Sequence, residues 1–582
     1  MHDRRSAPLL ATLAVCAAAA LPLLSTLNAY FIGDDFGLIQ LFAPKPTFHF
    51  LTLFTRTWTE TIYGPPSDEL RPLVELSYQI DSLWGPGRPF GYHLDNVVLH
   101  VLNALLVLAI ARHLCRLVWP SAAFAGMVFA VLPVQAEVGA WISGRADSLP
   151  ALCFLLCIFA YGCWRRAGAE KRKLLTAETR DVRDAGHHER AMPAALLYGV
   201  ALLACFLAHF SKQSAIVVPP ALVAYDVLLE RRQPWRSWRS LLAYAPFVLV
   251  TVCYLGLRRT LFGNLVRESQ IDGNILGSFA LVQATYVQML ATGSLVLRTD
   301  SVVQGIALVG LGVALLAVVV ALPAILRGRA PRRLGAALYF GPVWWMITVA
   351  PLAVTYVSGR HLYLTAAGFA IVLGCAFDGL WTARTRSWRA IASVAGAVLL
   401  ACYTVSLHGA VEEWNRSAAR SQLMLEAVWR EAAAATSGSL ILVGAPASNA
   451  PVVMWRGTPT LAFAEDAPGP TPAAWSWILS FSAPFMYGPP FAPTDLTARV
   501  AFVESPGVYC CPPDEWFRHT QAAIRAWHER GDDPSVVALT WDDAGVLTRR
   551  TDDPKLRAAV ARILEAGSPD EASILLGAAF AS

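Results

Sequence analysis

The sequence predicts an α-helical polytopic membrane protein with about eleven transmembrane helices and a small C-terminal soluble α/β domain. Three observations carry that prediction. Hydrophobic residues make up 55% of the 582-residue chain and charged residues only 15%, against roughly 25% charged in an ordinary soluble domain. A soluble fold of this length has nowhere to hide so much apolar surface, so the bilayer must act as part of the solvent. The apolar residues also gather into runs long enough to cross ~30 Å as helix. Finally, the charge is asymmetric: residues 410–582 hold 13 Lys and Arg against 20 Asp and Glu, a balance of −7, whereas residues 1–409 carry +12. A basic membrane domain over 1–409 and an acidic non-cytoplasmic domain over 410–582 follow from that split.

Spanning candidates lie near 7–28, 94–114, 121–142, 147–164, 193–210, 213–229, 241–260, 301–326, 334–356, 361–381 and 390–409. With this count, six Lys/Arg clusters fall on one side: Arg4/Arg5, Arg112/Arg116, the stretch from Arg165 to Arg190, Arg231 to Arg239, Arg327 to Arg333, and Arg384 to Arg389. The positive-inside bias makes that side cytoplasmic. The segments 29–93, 143–146, 261–300 and 357–360 and the acidic tail then face the other way. Ile275–Leu297 is apolar enough to cross, but a crossing there would invert the later basic cluster, so it reads as an interfacial or re-entrant helix. The first run also fits a cleaved signal peptide. The nineteen Trp suit membrane interfaces, and the Ala- and Arg-rich composition points to a bacterial inner (plasma) membrane.

The tail opens with a helix around Trp414. It continues with a strand at Leu440–Gly444, a Pro-rich irregular segment over 467–493, and helices over Glu515–Arg530 and Asp553–Ala566, the alternation of a small α/β unit. Nine of the eleven Cys lie in or beside apolar runs and read as small hydrophobes. Cys510 and Cys511 are adjacent and have no CxxC partner, so no zinc site is expected.

Ionisable groups at membrane depth are costly and mark function by default. Asp34 and Asp35 stand side by side just after the first apolar run, where like charges resist joint ionisation or await a cation. Arg71 follows in the same external segment, and a guanidinium suits phosphate. His93, Asn96, His100 and Asn103 share one helix face. The two His are ~10 Å apart along the axis, too far to ligate one ion, so the stripe reads as packing between helices. Gln135 and Glu137 end one span, and Arg145 and Asp147 begin the next. Arg145 there meets phosphate or pairs with Glu137 or Asp147. Lys212, Arg360 and His361 emerge on the same face as Asp34, against the charge bias, and an anionic headgroup or phosphate would hold them there.

In this order, GDDF at 33–36, RPL at 71–73, YHLDNVVLHVLNALL at 92–106, LPVQAEVGAWISGRADSLPALCFLL at 132–156, FSKQSA at 210–215 and SGRHLYLTAAGFA at 358–370 resemble the GT-C fold glycosyltransferases. The similar branch is that of the tetratricopeptide-linked protein O-mannosyltransferases and their bacterial relatives. The tail has no such repeats, and Gln213 stands where Glu is usual. The resemblance implies a GT-C-like membrane domain that transfers a sugar, with inversion, from a polyprenyl-phosphate donor to a protein, lipid or glycan hydroxyl. Asp34 or Asp35 would act as general base or help position the acceptor, in some members with a divalent metal, Mg or Mn. Arg71, Arg145, Lys212, Arg360 and His361 would bind the donor phosphate, supported by Glu137, Asp147 and His93. The partners implied are the lipid-linked donor, an acceptor and the bilayer, with no nucleic acid. Rival readings are a transporter or flippase of a lipid-linked anion, and a catalytically degenerate scaffold. A transporter would extend a polar path to the cytoplasmic half, and the charges singled out here cluster at outer helix ends.

Overall fold

The computed structural model describes residues 3–32, 35, 50–55, 69–85, 87–177, 193–265, 275–293, 302–326, 332–351, 358–382 and 386–434. In the tail it describes 440–445, 452–455, 458–461, 500–504, 536–541, 547–568 and single residues within 518–529 and 571–575. Asp34, the Pro-rich stretch 467–493, Cys510 and Cys511 lie outside the described residues.

Among the described residues the main helices of the body are α1 (Asp3–Ala20), α2 (Pro72–Asp81), α3 (Pro89–Ala109), α4 (Trp119–Val131), α5 (Ala136–Ala140), α6 (Arg145–Ala177), α7 (Ala194–His209), α8 (Val218–Ala224), α9 (Ala245–Phe262), α10 (Ile275–Thr292), α11 (Val302–Leu326), α12 (Arg332–Val349), α13 (Ala366–Trp381) and α14 (Arg386–Ala434). Among the described residues an apolar helix lies within each expected span, but not all of them reach spanning length. Among the described residues five are long and apolar enough to cross a bilayer, or six if the bent pair α4 and Pro133–Ala140 forms one span. The remaining expected spans correspond to shorter apolar helices. The chain is thus an integral membrane protein, and its core is continuous from α1 through α3, α4, α6 and α13 to α14.

Two departures from the sequence reading matter for the site. The expected single helix over 121–142 breaks at Leu132 and turns by 54°. Pro133 has no N–H to give, and the residue before a proline is driven out of the helical region; Leu132 takes ψ 132°. The Gln135 amide donates to the Phe129 carbonyl at 3.0 Å, satisfying an acceptor left by the break. The break turns α5 across the end of the bundle. The second departure is α14, which is continuous through residue 409, where the sequence placed the boundary between membrane domain and tail. Its 49 residues span ~74 Å, more than twice the hydrocarbon thickness. Its later turns therefore stand clear of the membrane, and α14 packs against α5 and the Leu21–Asn28 turn.

In the tail, β1 (Leu440–Ala445) lies between β4 (Val500–Glu504) and β5 (Val536–Trp541) and is parallel to both, while β6 (Leu547–Arg549) closes antiparallel on β5. A separate hairpin pairs β2 (Val452–Trp455) with β3 (Thr458–Leu461). Helix α15 (Pro554–Ala561) starts on Asp553, whose carboxylate accepts from the backbone N–H groups of Lys555 and Leu556.

Candidate active site

The residues singled out in the sequence come from six separate stretches; Asp34 lies outside the described residues, and the others fall into three groups. The first group is a latch. Asp35 is buried, with Oδ1 accepting from the Ser143 backbone N–H at 3.1 Å and the Ser143 hydroxyl at 2.6 Å, and Oδ2 from the Ile32 N–H at 3.0 Å. The Trp141 indole donates to the Ile32 carbonyl at 3.2 Å. Ile32 and Asp35 are therefore pinned to the turn between α5 and α6. That turn closes tightly because residue 144 is glycine: a Cβ there would lie 2.7 Å from the Val138 Cα. These contacts of the Asp35 carboxylate are with N–H and O–H donors, which makes it a hydrogen-bonded anchor; Asp34, expected with it to hold a metal, lies outside the described residues. Among the described residues no group of three or more His, Cys, Asp or Glu could hold a metal ion.

The second group is a strut. Arg145 is fully buried, paired with Asp81 at the end of α2. Its Nη2 donates to the Tyr92 carbonyl at 2.8 Å and its Nε to Asn96 at 3.1 Å, and the guanidinium lies 4.8 Å from the Tyr78 ring centre. This corrects the expectation for Arg145: it pairs with neither Glu137 nor Asp147, and a guanidinium enclosed by protein acceptors is not placed to meet phosphate. The polar stripe on α3 behaves as the sequence suggested. Asn96 donates to the Trp141 carbonyl at 2.8 Å, His100 joins Tyr363 at 2.8 Å and the Ala130 carbonyl at 3.0 Å, and Asn103 donates to the Ser148 carbonyl at 2.9 Å. His93 is buried in the same seam.

The third group surrounds an open cleft. Lys212 is paired with Asp147 from the first turn of α6, and both line the cleft together with His361, Ser214 and Thr348. Phe154, Pro150, Val217 and Leu364 form its apolar wall. Near Arg71 the Leu73 N–H donates to the Phe210 carbonyl at 3.3 Å, and the Arg71 guanidinium meets Glu69 at 2.8 Å. Arg360 is held by Glu137: the Glu137 carboxylate accepts from the Ser358 hydroxyl at 2.7 and 2.9 Å and from the Arg360 backbone N–H at 2.9 Å. The Arg360 side chain lies over Trp141 at 4.9 Å, and Trp141 stacks on Trp414 of α14 at 5.7 Å. Burial pushes the Lys212 ammonium below the ordinary lysine value; Asp147 opposes this, and the positive charges of Arg71 and Arg360 push it further down. Two further cations, from distant parts of the chain, thus act on Lys212.

Sequence reasoning missed Asp81, Ser143 and Ser358, the partners of Arg145, Asp35 and Glu137. Ser143 and Ser358 sit inside the turns that were singled out. Asp81 carried no signal, because its partner lies 64 positions away.

No family model matches the chain. It is similar to protein O-mannosyl-transferase Tmtc2 of Drosophila melanogaster, at 33% identity over 174 residues, covering 28% of this chain and 18% of that protein. Tmtc1 of the same organism is 37% identical over 161 residues, covering 26% and 18%, and Tmtc2 of Xenopus laevis is 34% identical over 146 residues, covering 24% and 17%. The matched part is thus under a fifth of the length of these curated relatives. Among solved structures, ArnT from Cupriavidus metallidurans bound to undecaprenyl phosphate aligns over 80% of this chain and 85% of its own, with TM-score 0.43 and 13% identity. The apo oligosaccharyltransferase of Archaeoglobus fulgidus aligns over 76% and 62%, with TM-score 0.42 and 10% identity.

Proposed function

We propose that the chain is a membrane glycosyltransferase that moves a sugar from a polyprenyl-phosphate donor to a hydroxyl acceptor, with inversion, on the non-cytoplasmic face. The observation that carries the reading is a cleft that joins Lys212, Asp147 and His361 to an apolar wall, with the charges of Arg71 and Arg360 near enough to act on Lys212. Cations brought together at a bilayer edge suit an anion on a hydrocarbon chain. Each is held by a carboxylate, Glu69, Asp147 or Glu137, which keeps the group in place before the phosphate arrives. The similarity to protein O-mannosyl-transferases supports sugar transfer and makes a protein Ser or Thr hydroxyl the first acceptor to test.

In this mechanism Asp34 takes the acceptor O–H proton as the oxygen attacks the anomeric carbon. The bond from that carbon to the phosphate oxygen breaks, and its electron pair leaves with the lipid phosphate, whose growing charge Lys212, Arg360 and Arg71 stabilise with His361 beside them. Asp35 positions Asp34 by anchoring the segment, and Arg145 braces the turn beneath.

The test is transfer in purified membranes from a panel of polyprenyl-phosphate sugars, comparing wild type with Asp34→Asn and Lys212→Met. Transfer lost in both variants is expected. Undiminished transfer in Asp34→Asn would sink the base assignment, and no transfer from any donor by wild type would sink the function.

A further inference from the structure

Away from the cleft, residues 231–244 join the helical segment ending at Leu229 to α9 and contain Arg231, Arg232, Arg236 and Arg239 with Trp235 and Trp238, and no acidic residue. The connection is anchored from within. The Arg232 N–H donates to the Asp226 carbonyl at 2.9 Å, the Arg232 guanidinium donates to the Arg165 carbonyl at 3.3 Å, and Pro234 is buried. Arg165 lies 20 residues along α6 from Arg145, so the elbow is ~30 Å from the site, about the hydrocarbon thickness.

Its outer surface is of a different kind. Trp235 is 62% exposed and Trp238 67%, followed by exposed Leu241 and Leu242. That apolar surface runs into the exposed Val248, Leu249 and Val252 of α9, a helix able to cross the bilayer. The exposed stripe of a spanning helix meets acyl chains, so the elbow at its end sits at headgroup depth, where Trp is favoured. Neither Arg236 nor Arg239 has a carboxylate partner among the described residues; Arg239 lies 5.7 Å from the Trp238 ring centre.

We infer that the 231–242 elbow is a binding site for anionic phospholipid headgroups, with Arg236 and Arg239 on the phosphate and Trp235 and Trp238 at the boundary between headgroup and acyl chain. The site is independent of the transfer chemistry and would fix the depth of α9 in the bilayer.

The test uses the full chain in nanodiscs holding equal fractions of phosphatidylglycerol and phosphatidylcholine, each in turn photoactivatable. Cross-links are mapped by peptide mass spectrometry. Cross-linking of 231–242 to phosphatidylglycerol should exceed that to phosphatidylcholine about 10- to 30-fold, the effect of two charges near an anionic surface. The preference should vanish in Arg236→Ser/Arg239→Ser and survive in Arg236→Lys/Arg239→Lys, and Trp235→Ser/Trp238→Ser should lower labelling by both lipids. No preference in wild type, an unchanged preference in the double Ser variant, or a changed oligomeric state in place of changed labelling would each overturn the inference.

Discussion

Asp81, the last residue of α2, meets Arg145, the first residue of α6, in an ion pair from which water is excluded. The pair ties α2 to the turn that carries Ser143, and through Ser143 to Asp35.

Breaking that pair from one side leaves a buried charge unmatched, at a cost of about 3–5 kcal/mol. Arg145→Met should lower the thermal unfolding midpoint in detergent sharply, and Asp81→Asn/Arg145→Met should recover part of the loss. A stable Arg145→Met protein with a raised KM for donor would return Arg145 to the phosphate group.

Asp35 and Asp34 should separate under mutation. Asp34→Asn removes the proposed base and should lower turnover roughly 10²- to 10⁴-fold with little change in stability. Ser143→Ala removes one hydrogen bond to Asp35, worth about 1 kcal/mol, and should lower the unfolding midpoint modestly while leaving the pH profile in place. The reverse pattern would make Asp35 the base.

Lys212 gives the pH dependence. Its folded-state pKa lies below that of the unfolded chain, so at pH values between the two the unfolded state binds more protons and stability rises with pH. Phosphate binding runs the other way, since the neutral amine no longer attracts the anion. Donor affinity should therefore fall on the alkaline side earlier than for an ordinary lysine. Lys212→Arg, which stays charged, should extend activity to higher pH, and Lys212→Met should lower kcat/KM roughly 10²-fold. A KM for donor that is flat across the alkaline range in wild type would count against Lys212 as a phosphate group.

Gly144→Ala tests the closure of the turn. The added methyl meets Val138 backbone at 2.7 Å, which must shift at a cost of about 1–3 kcal/mol. The effect should appear in stability and turnover together, because the same turn positions Ser143 and Arg145. An unperturbed midpoint would show that the turn has slack.

Much of this protein was legible from residue order alone. Apolar run length and the paucity of charge established the membrane, because burying a helix in hydrocarbon is decided by composition over about 20 residues. The face shared by Asn96, His100 and Asn103 followed from helical periodicity, and Leu440–Gly444 announced a strand. The polar motifs at 71, 137, 147, 212 and 360 were conspicuous because such groups are costly beside a bilayer.

What the sequence left open were the partners. Arg145 and Lys212 are both cations beside membrane spans, and nothing local distinguishes one enclosed by Asp81, Asn96 and Tyr92 from one opening on a cleft with Asp147 and His361. Asp35 likewise looks like its neighbour until Ser143, 108 positions away, fills one side of its carboxylate. Whether a charge is a strut, a latch or a free hand for a ligand depends on which acceptors and donors surround it. Those surroundings come from helices brought together only by long-range packing, so tertiary structure alone assigned them.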